Sequence, residues 1–491
     1  MKKIKDVVSE KPWVGWVIFL ATLIIVFFVG LFGASIIERR SEANLNFQLV
    51  KEINEWEPRN EVWGENFPRQ YESYISTGDT NFRSKYGGSA MIDMLEKDPN
   101  LVILWAGYAF SRDYNQGRGH YYAIDDIRNT LRTDVPQPAT CWTCKSTDVP
   151  RLMNEMGVAN FYKAGWSDLG SEVVNHIGCQ DCHDPKSMNL RITRPGLIEA
   201  FQRQGKDIKK ATHQEMRSLV CAQCHVEYYF KGKEDKYLTF PWDDGITAED
   251  MEKYYDDVQH VDFVHALSKT PVLKAQHPDW EMAQFGIHAE RGVSCADCHM
   301  PYKTEGGVKF TNHKIQSPLN NISGSCQVCH RESEETLIKN VNDRQDKIKQ
   351  LLETAEYSLV KAHIEAKTAW DNGATEDQMK DVLQLIRHSQ WRWDYVAASH
   401  GGSFHAPLES ARLLGSSIQK SEEARVMLAR ILTKLGVNLP LQIPDISTKA
   451  NAQKFINLDM PKLKEKKNLF IKNTIPVWDK ESVERQSRMN K

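Results

Sequence analysis

The sequence predicts a mainly α-helical fold whose longest helices lie towards the C-terminus, and three observations carry that prediction. Period-two runs of apolar residues are few, so sheet is expected to be minor. Charged and apolar residues recur at helical spacing over 332–360, 361–372, 375–398 and 421–435. All ten cysteines fall in C-x-x-C pairs joined by stretches bearing glycine and proline, a pattern of compact sites linked by loops.

Composition narrows the class. A length of 491 residues by itself suggests about three domains. Apolar residues at 41%, charged residues at 26%, 28 glycines and 19 prolines exclude a disordered, collagen-like or polytopic membrane chain. With 63 Lys and Arg against 65 Asp and Glu the formal net charge is -2, so there is no overall basic field and no nucleic-acid partner is expected.

The first element is residues 1–40. Lys2, Lys3, Lys5 and Lys11 precede an uncharged run of 25 residues from Trp13 to Ile37, and Glu38, Arg39 and Arg40 close it. Such a run exceeds a signal-peptide core and spans about 30 Å of bilayer as a helix. The lysines predict a cytoplasmic N-terminus, which puts the rest of the chain on the outer side of the membrane. An uncleaved anchor is expected; Gly33, Ala34 and Ser35 leave cleavage as the alternative, and the remainder is exported either way.

The cysteine pairs come next. Four run directly into histidine: Cys179-Gln-Asp-Cys182-His183, Cys221-Ala-Gln-Cys224-His225, Cys295-Ala-Asp-Cys298-His299 and Cys326-Gln-Val-Cys329-His330. C-x-x-C-H attaches c-type haem, because two thiols three apart reach the two vinyl groups of one porphyrin and the next side chain falls under the iron. Zinc ribbons need no histidine and set two pairs about 15 to 20 residues apart. Here successive pairs start 38, 42, 74 and 31 residues apart. Five disulfides would suit a small secreted scaffold rather than a chain with ample material for a core. The remaining pair reads Cys141-Trp-Thr-Cys144-Lys145. A lysine ligates iron only after losing its proton, which a buried haem face and the ferric charge favour. The alternative is an exposed Lys145 with another residue on the iron. Both readings make one haem chemically unlike the other four, and five porphyrins then replace much of an ordinary apolar core.

Sixteen histidines less four proximal ones leave His120, His176, His213, His260, His265, His277, His288, His313, His363, His388, His400 and His405 for the far faces. Spacing does not choose among them. His363 and His388 lie in charged helical stretches and read as structural.

One C-x-x-C-K followed by four C-x-x-C-H resembles the pentahaem cytochrome c nitrite reductases, the ammonia-forming enzymes. Six other stretches are similar to that family: 104–108 (LWAGY), 221–230 (CAQCHVEYYF), 240–245 (FPWDDG), 273–278 (LKAQHP), 387–394 (RHSQWRWD) and 442–448 (QIPDIST). Together they span roughly residues 100 to 450. The resemblance implies a multihaem cytochrome c fold with a haem-packed core. It also implies six-electron reduction of nitrite to ammonium at the Lys145 haem, with four bis-histidine haems relaying electrons. Arg132, Tyr228 and His277 match the residues around the open face, where a cation and two proton donors would attract the anion and deliver protons. Glu227, Tyr228, Lys274 and Gln276 match calcium ligands, Tyr228 and Lys274 through their backbone carbonyls. His313 would face His183, His120 would face His225, His405 would face His299, and His288 would face His330. The resemblance further implies a haem-binding catalytic region over 41–330, with 331–491 supplying a homodimer interface and a distal ligand. Electrons would come on the periplasmic side from a quinol-oxidising membrane multihaem cytochrome or a soluble cytochrome. Two alternatives stand beside it: a non-catalytic conduit with five six-coordinate irons, and a related reductase of hydroxylamine or sulfite.

Overall fold

Residues 9–45, 49–133 and 137–489 are described by a computed structural model. Lys2, Lys3 and Lys5 lie outside the described residues. The chain divides into two units, Met1–Ile53 and Asn54–Lys491.

The first unit holds helix α1, Pro12–Leu45. Its stretch Pro12–Glu38 has a mean hydropathy of 2.8 and is not buried within the protein. An exposed apolar surface of that extent matches bilayer hydrocarbon rather than water. The Thr22 hydroxyl donates to the Ile18 carbonyl at 2.8 Å, so this polar side chain within the run is satisfied by the helix itself. The helix continues past residue 40 because the segment that follows contains neither proline nor glycine.

Helix dominates the second unit, as expected from the sequence. Sheet among the described residues is limited to three antiparallel two-stranded ribbons: β1 Tyr229–Lys231 with β2 Tyr237–Thr239, β3 Phe263–Val264 with β4 Pro271–Val272, and β5 Tyr302–Glu305 with β6 Val308–Thr311. The first two ribbons flank the segments that carry Tyr228 and Lys274, and they hold these segments as extended backbone.

Three long helices close the fold: α2 Glu334–Asp371, α3 Glu376–Ala398 and α4 Pro407–Lys434. The break expected between 360 and 361 is absent. The segment lacks glycine and proline, and Leu359, Val360, Ala362 and His363 continue one buried stripe through the expected junction. The last of the three begins at Pro407 rather than 421, with proline in the first turn where its missing N–H costs nothing. Three further helices, Lys449–Phe455, Met460–Asn473 and Ile475–Met489, lie beyond the last periodic stretch expected from the sequence. Small residues let α3 and α4 approach closely: the Ser389 hydroxyl donates to the Ser417 carbonyl at 2.7 Å, and the Ser417 hydroxyl returns to the Ser389 carbonyl at 2.8 Å. Trp391 and Trp393 of α3 are fully buried, and the Trp391 indole donates to the Ala248 carbonyl at 2.7 Å, tying the helix to the haem-bearing half of the chain.

His363 of α2 stacks on His265 with ring centres 3.6 Å apart. Leu267 and Ser268 donate backbone N–H groups to His265 Nδ1, so its Nε2–H donates to the Ile103 carbonyl at 2.8 Å and the ring is neutral. Burial lowers the His363 pKa from 6.5 to about 4, with a bond to Gln390 opposing the shift. Between those values the unfolded chain binds more protons than the folded one. The contribution of His363 is therefore complete above about pH 6.5 and is lost as pH falls towards 4, on the order of 3 kcal/mol in all. His363→Gln is expected to lose less stability between pH 7 and pH 4 than the parent, read as denaturation midpoints across that range; equal losses would show that the stacked pair is not an acid-sensitive element.

Candidate active site

The haem motifs form tight turns that put their side chains on one side. His183, His225 and His330 each donate a backbone N–H to the carbonyl of the first cysteine of the motif, at 3.0, 2.9 and 2.9 Å. This is the i to i+4 bond of one helical turn, which aligns residues i, i+3 and i+4. In two motifs an aspartate between the cysteines locks the turn: Asp181 Oδ2 accepts the Gly178 N–H, and Asp297 Oδ2 accepts the Ser294 N–H, each at 2.8 Å. The lysine motif is wound differently. Lys145 donates its backbone N–H to Trp142, three residues back, at 2.9 Å.

All ten cysteines, Lys145 and the motif histidines line one connected cavity of about 3450 Å³. That is several-fold larger than the roughly 300–1,000 Å³ of a single-ligand site. Across it, four pairs of imidazoles face one another. Ring centres are 6.1 Å apart for His120 and His225, and 6.2 Å apart for His183 with His313, His299 with His405, and His288 with His330. Two imidazoles whose nitrogens each lie about 2.0 Å from a shared iron, with each ring centre about 1.1 Å behind its nitrogen, have ring centres about 6.2 Å apart. The residues therefore fit four irons with two histidines each. Their protonation fits too. Nδ1 of His183, His299 and His313 lies 2.9, 2.9 and 2.7 Å from the carbonyls of Met188, Gln316 and Thr311, which fixes the proton there and leaves Nε2 for the metal. Burial pulls the pKa of His120 down to about 3 and that of His313 to about 4, favouring the neutral ring that ligates. Glycine makes room for His405: a Cβ on Gly401 would lie 2.3 Å from its ring, and one on Gly286 would lie 2.0 Å from its carbonyl.

The attachment points are electrostatic neighbours in order: Cys144 interacts with Cys224, Cys221 with Cys295, and Cys298 with Cys326. Their sulfurs stand for thioethers in the haem-bearing protein. The order of neighbours runs from the lysine motif through the Cys221 and Cys295 motifs to the Cys326 motif.

Arg132, Tyr228 and His277 line the same cavity as Lys145. The Arg132 guanidinium lies over the Phe110 ring at 4.3 Å, and its Nε donates to Thr130 Oγ1 at 3.2 Å. Thr130 donates in turn to the buried Asp113 at 2.7 Å. Tyr228 stacks on Phe230, and burial pushes its phenol well above the ordinary value, so the hydroxyl keeps its proton. His277 packs 4.3 Å from the His225 ring and 5.1 Å from His400, and its Nε2 lies 2.9 Å from Asp279 Oδ2. Burial raises the Asp279 pKa, but His277 and bonds from His225 and His277 outweigh it and hold the carboxylate ionised.

The expected cation ligands are also adjacent. Glu227 Oε2 accepts the Gln276 backbone N–H at 2.6 Å, and the Gln276 amide donates to the Lys274 carbonyl at 2.8 Å. Burial pushes the Glu227 pKa well up, so a cation beside it would favour the ionised carboxylate. Turning the Gln276 amide over would present its oxygen beside that carbonyl, so the donor set fits a hard cation. The Lys274 ammonium points away, to Asp394 Oδ1 at 2.9 Å.

Sequence reasoning left His400 among the unassigned histidines and missed Asp279, Asp262 and Asp394. Asp279 carried a signal, a carboxylate two residues beyond a candidate proton donor, whereas Asp394 reaches Lys274 from 120 residues away. Asp262 takes the Lys274 backbone N–H at 2.9 Å.

Fold and site together define a multihaem c-type cytochrome. The chain belongs to the cytochrome c552 family, whose family model matches residues 59–487. It is 58% identical over 482 residues to a cytochrome c-552 of Parabacteroides distasonis, covering 96% of this chain and 97% of that one. A cytochrome c-552 of Aliarcobacter butzleri is 45% identical over 480 residues, 95% of each chain. Among solved structures, the catalytic subunit (NrfA) of cytochrome c nitrite reductase from Desulfovibrio desulfuricans, described with two calcium sites, matches with a TM-score of 0.73 and 33% identity, covering 84% of this chain and 91% of that one.

Proposed function

We propose that this protein reduces nitrite to ammonium at the haem carried by Cys141 and Cys144, with Lys145 as the proximal ligand and four bis-histidine haems passing electrons to it. The observation that carries the reading is the contrast between four imidazole pairs 6.1–6.2 Å apart and a fifth motif ending in Lys145, on a cavity shared with Arg132, Tyr228 and His277. The likeness to a solved cytochrome c nitrite reductase supports the substrate. Haem supplies one-electron steps and an iron to which the nitrite nitrogen binds. The chain supplies the rest. Arg132 draws in the anion and hydrogen-bonds its oxygens, while Tyr228 and His277 hold protons where the N–O bonds break. Nitrite needs six electrons and eight protons to give ammonium and two waters, so proton supply matters as much as the electron relay.

Glu227, Gln276 and the carbonyls of Tyr228 and Lys274 would hold calcium, which fixes Tyr228 and adds positive charge near the anion. Chelation, or Glu227→Gln, is expected to lower kcat about tenfold or more without releasing haem, checked by turnover and by haem content per chain. An unchanged rate in metal-depleted protein would remove calcium from the reading.

Region 41–330 carries the haem motifs, and 331–491 supplies His405 and the long helices. Tyr357 of α2 and Val426 of α4 are more than half exposed, which supports a homodimer interface there, to be read by sedimentation. Helix α1 supports an anchored protein facing the periplasm and fed by a quinol-oxidising membrane cytochrome. The deciding experiment is anaerobic turnover with nitrite and a low-potential viologen. Six electrons consumed per ammonium formed is the expected result; no nitrite-dependent oxidation in protein carrying five haems would leave an electron conduit.

A further inference from the structure

The residues between the paired cysteines are usually spacers, yet here they form a buried hydrogen-bonded node. Thr143, Gln180, Asp181 and Gln223 are all at most 3% exposed. At their centre lies Arg194, itself 1% exposed. Its Nε donates to the Thr143 carbonyl at 2.8 Å, and its Nη2 donates both to the Ser146 carbonyl at 2.9 Å and to Asp181 Oδ1 at 2.6 Å. Its Nη1 donates to Thr193 Oγ1 at 2.6 Å. Thr143 precedes Lys145 by two residues and Ser146 follows it by one, so a single guanidinium grips the backbone on both sides of the lysine.

The same node reaches two other haem motifs. Asp181 belongs to the Cys179 motif, and Gln223 of the Cys221 motif accepts the backbone N–H groups of Thr193 and Arg194 at 3.0 and 3.2 Å. Gln223 also donates to the Asp181 carbonyl at 2.7 Å. Gln180 adds a bond to the Thr147 carbonyl at 2.9 Å, two residues beyond Lys145. A comparable pair elsewhere lacks this reach: Arg217 pairs with Asp297 of the Cys295 motif at 3.0 Å, and its other partner is the Tyr302 hydroxyl.

We propose that Arg194 is a positioning residue for the iron-ligating amine of Lys145, fixing the backbone around it against the Cys179 and Cys221 motifs. The inference rests on Lys145 being the proximal ligand. Lysine is a compact charge on a flexible four-carbon stem, so holding its nitrogen on an iron demands an immobile backbone. A guanidinium holds two carbonyls and a carboxylate in a fixed planar arrangement, whereas an ammonium offers three donors from one point and does not fix that geometry.

Arg194→Lys keeps the charge opposite Asp181 and loses the fork. In the purified full-length holoprotein, the variant is expected to retain five covalent haems by mass and unchanged low-spin signals from the four bis-histidine haems. The electron paramagnetic resonance signal and midpoint potential of the Lys145 haem are expected to shift, and kcat for nitrite to fall about tenfold with little change in KM. Arg217→Lys serves as the matched control and is expected to leave that haem's signal unchanged. A native signal and native kcat in Arg194→Lys overturn the proposal. So does loss of haem both in Arg194→Lys and in the charge-balanced Arg194→Met/Asp181→Asn protein, which would make the node a general folding element. Lys145→Ala run alongside separates the two claims: if it leaves the signal of that haem unaltered, Lys145 is not the ligand, and the positioning role falls with it.

Discussion

Replacing Lys145 with alanine is expected to lower nitrite turnover at least about a hundredfold while the protein keeps five covalently attached haems. Loss of residues that merely orient a metal ligand costs about ten- to a hundredfold, and loss of the ligand itself removes more. A hundredfold fall corresponds to about 2.7 kcal/mol of barrier. The thioether bonds depend on Cys141 and Cys144, so attachment survives, and the four histidine pairs lie on other motifs. The measurement combines viologen-driven turnover with mass and with spectra of the low-spin haems. Retention of near-native kcat would mean that another group holds the iron, which is the alternative that an exposed Lys145 leaves open.

The parts of this site that could be read in the sequence are those fixed by short-range covalent geometry. Cys179 to His183 is five residues long and one helical turn deep, so its spacing states its chemistry. The distal partners carry no such local signal. His405 reaches the ring of His299 from more than a hundred residues away, and only the resemblance to a known family singles it out. The late helices were legible in outline because charge and apolar periodicity persists through them. Their junctions were not, since a change in composition near residue 360 does not break a helix that keeps its buried stripe. Asp394 and Arg194 escaped for a third reason. Each is an ordinary charged residue made special by burial, and burial is a property of the packed molecule.

His277→Asn is expected to cut kcat/KM for nitrite by about a hundred- to a thousandfold, the range in which a positioned proton donor acts. Asparagine keeps a polar side chain that can hydrogen-bond there but is not an acid near neutral pH, so it cannot give up a proton to the substrate. Asp279 gives a finer test of the same role. Burial lowers the His277 pKa, while the Asp279 charge and its bond raise it. Asp279→Asn removes the raising influence, so the pKa of His277 falls further. A proton donor must be protonated, and its contribution is lost as pH rises through its pKa. The descending limb of the pH–rate profile therefore moves to lower pH in Asp279→Asn, with kcat rising towards the parent value as the solution is acidified. Because Asp279 also lies 3.9 Å from His225 Nδ1, the low-spin spectrum of that haem is recorded in the same protein. A uniform loss at every pH, with the His225 haem perturbed, would assign Asp279 to electron transfer and take the proton-donor role from the dyad.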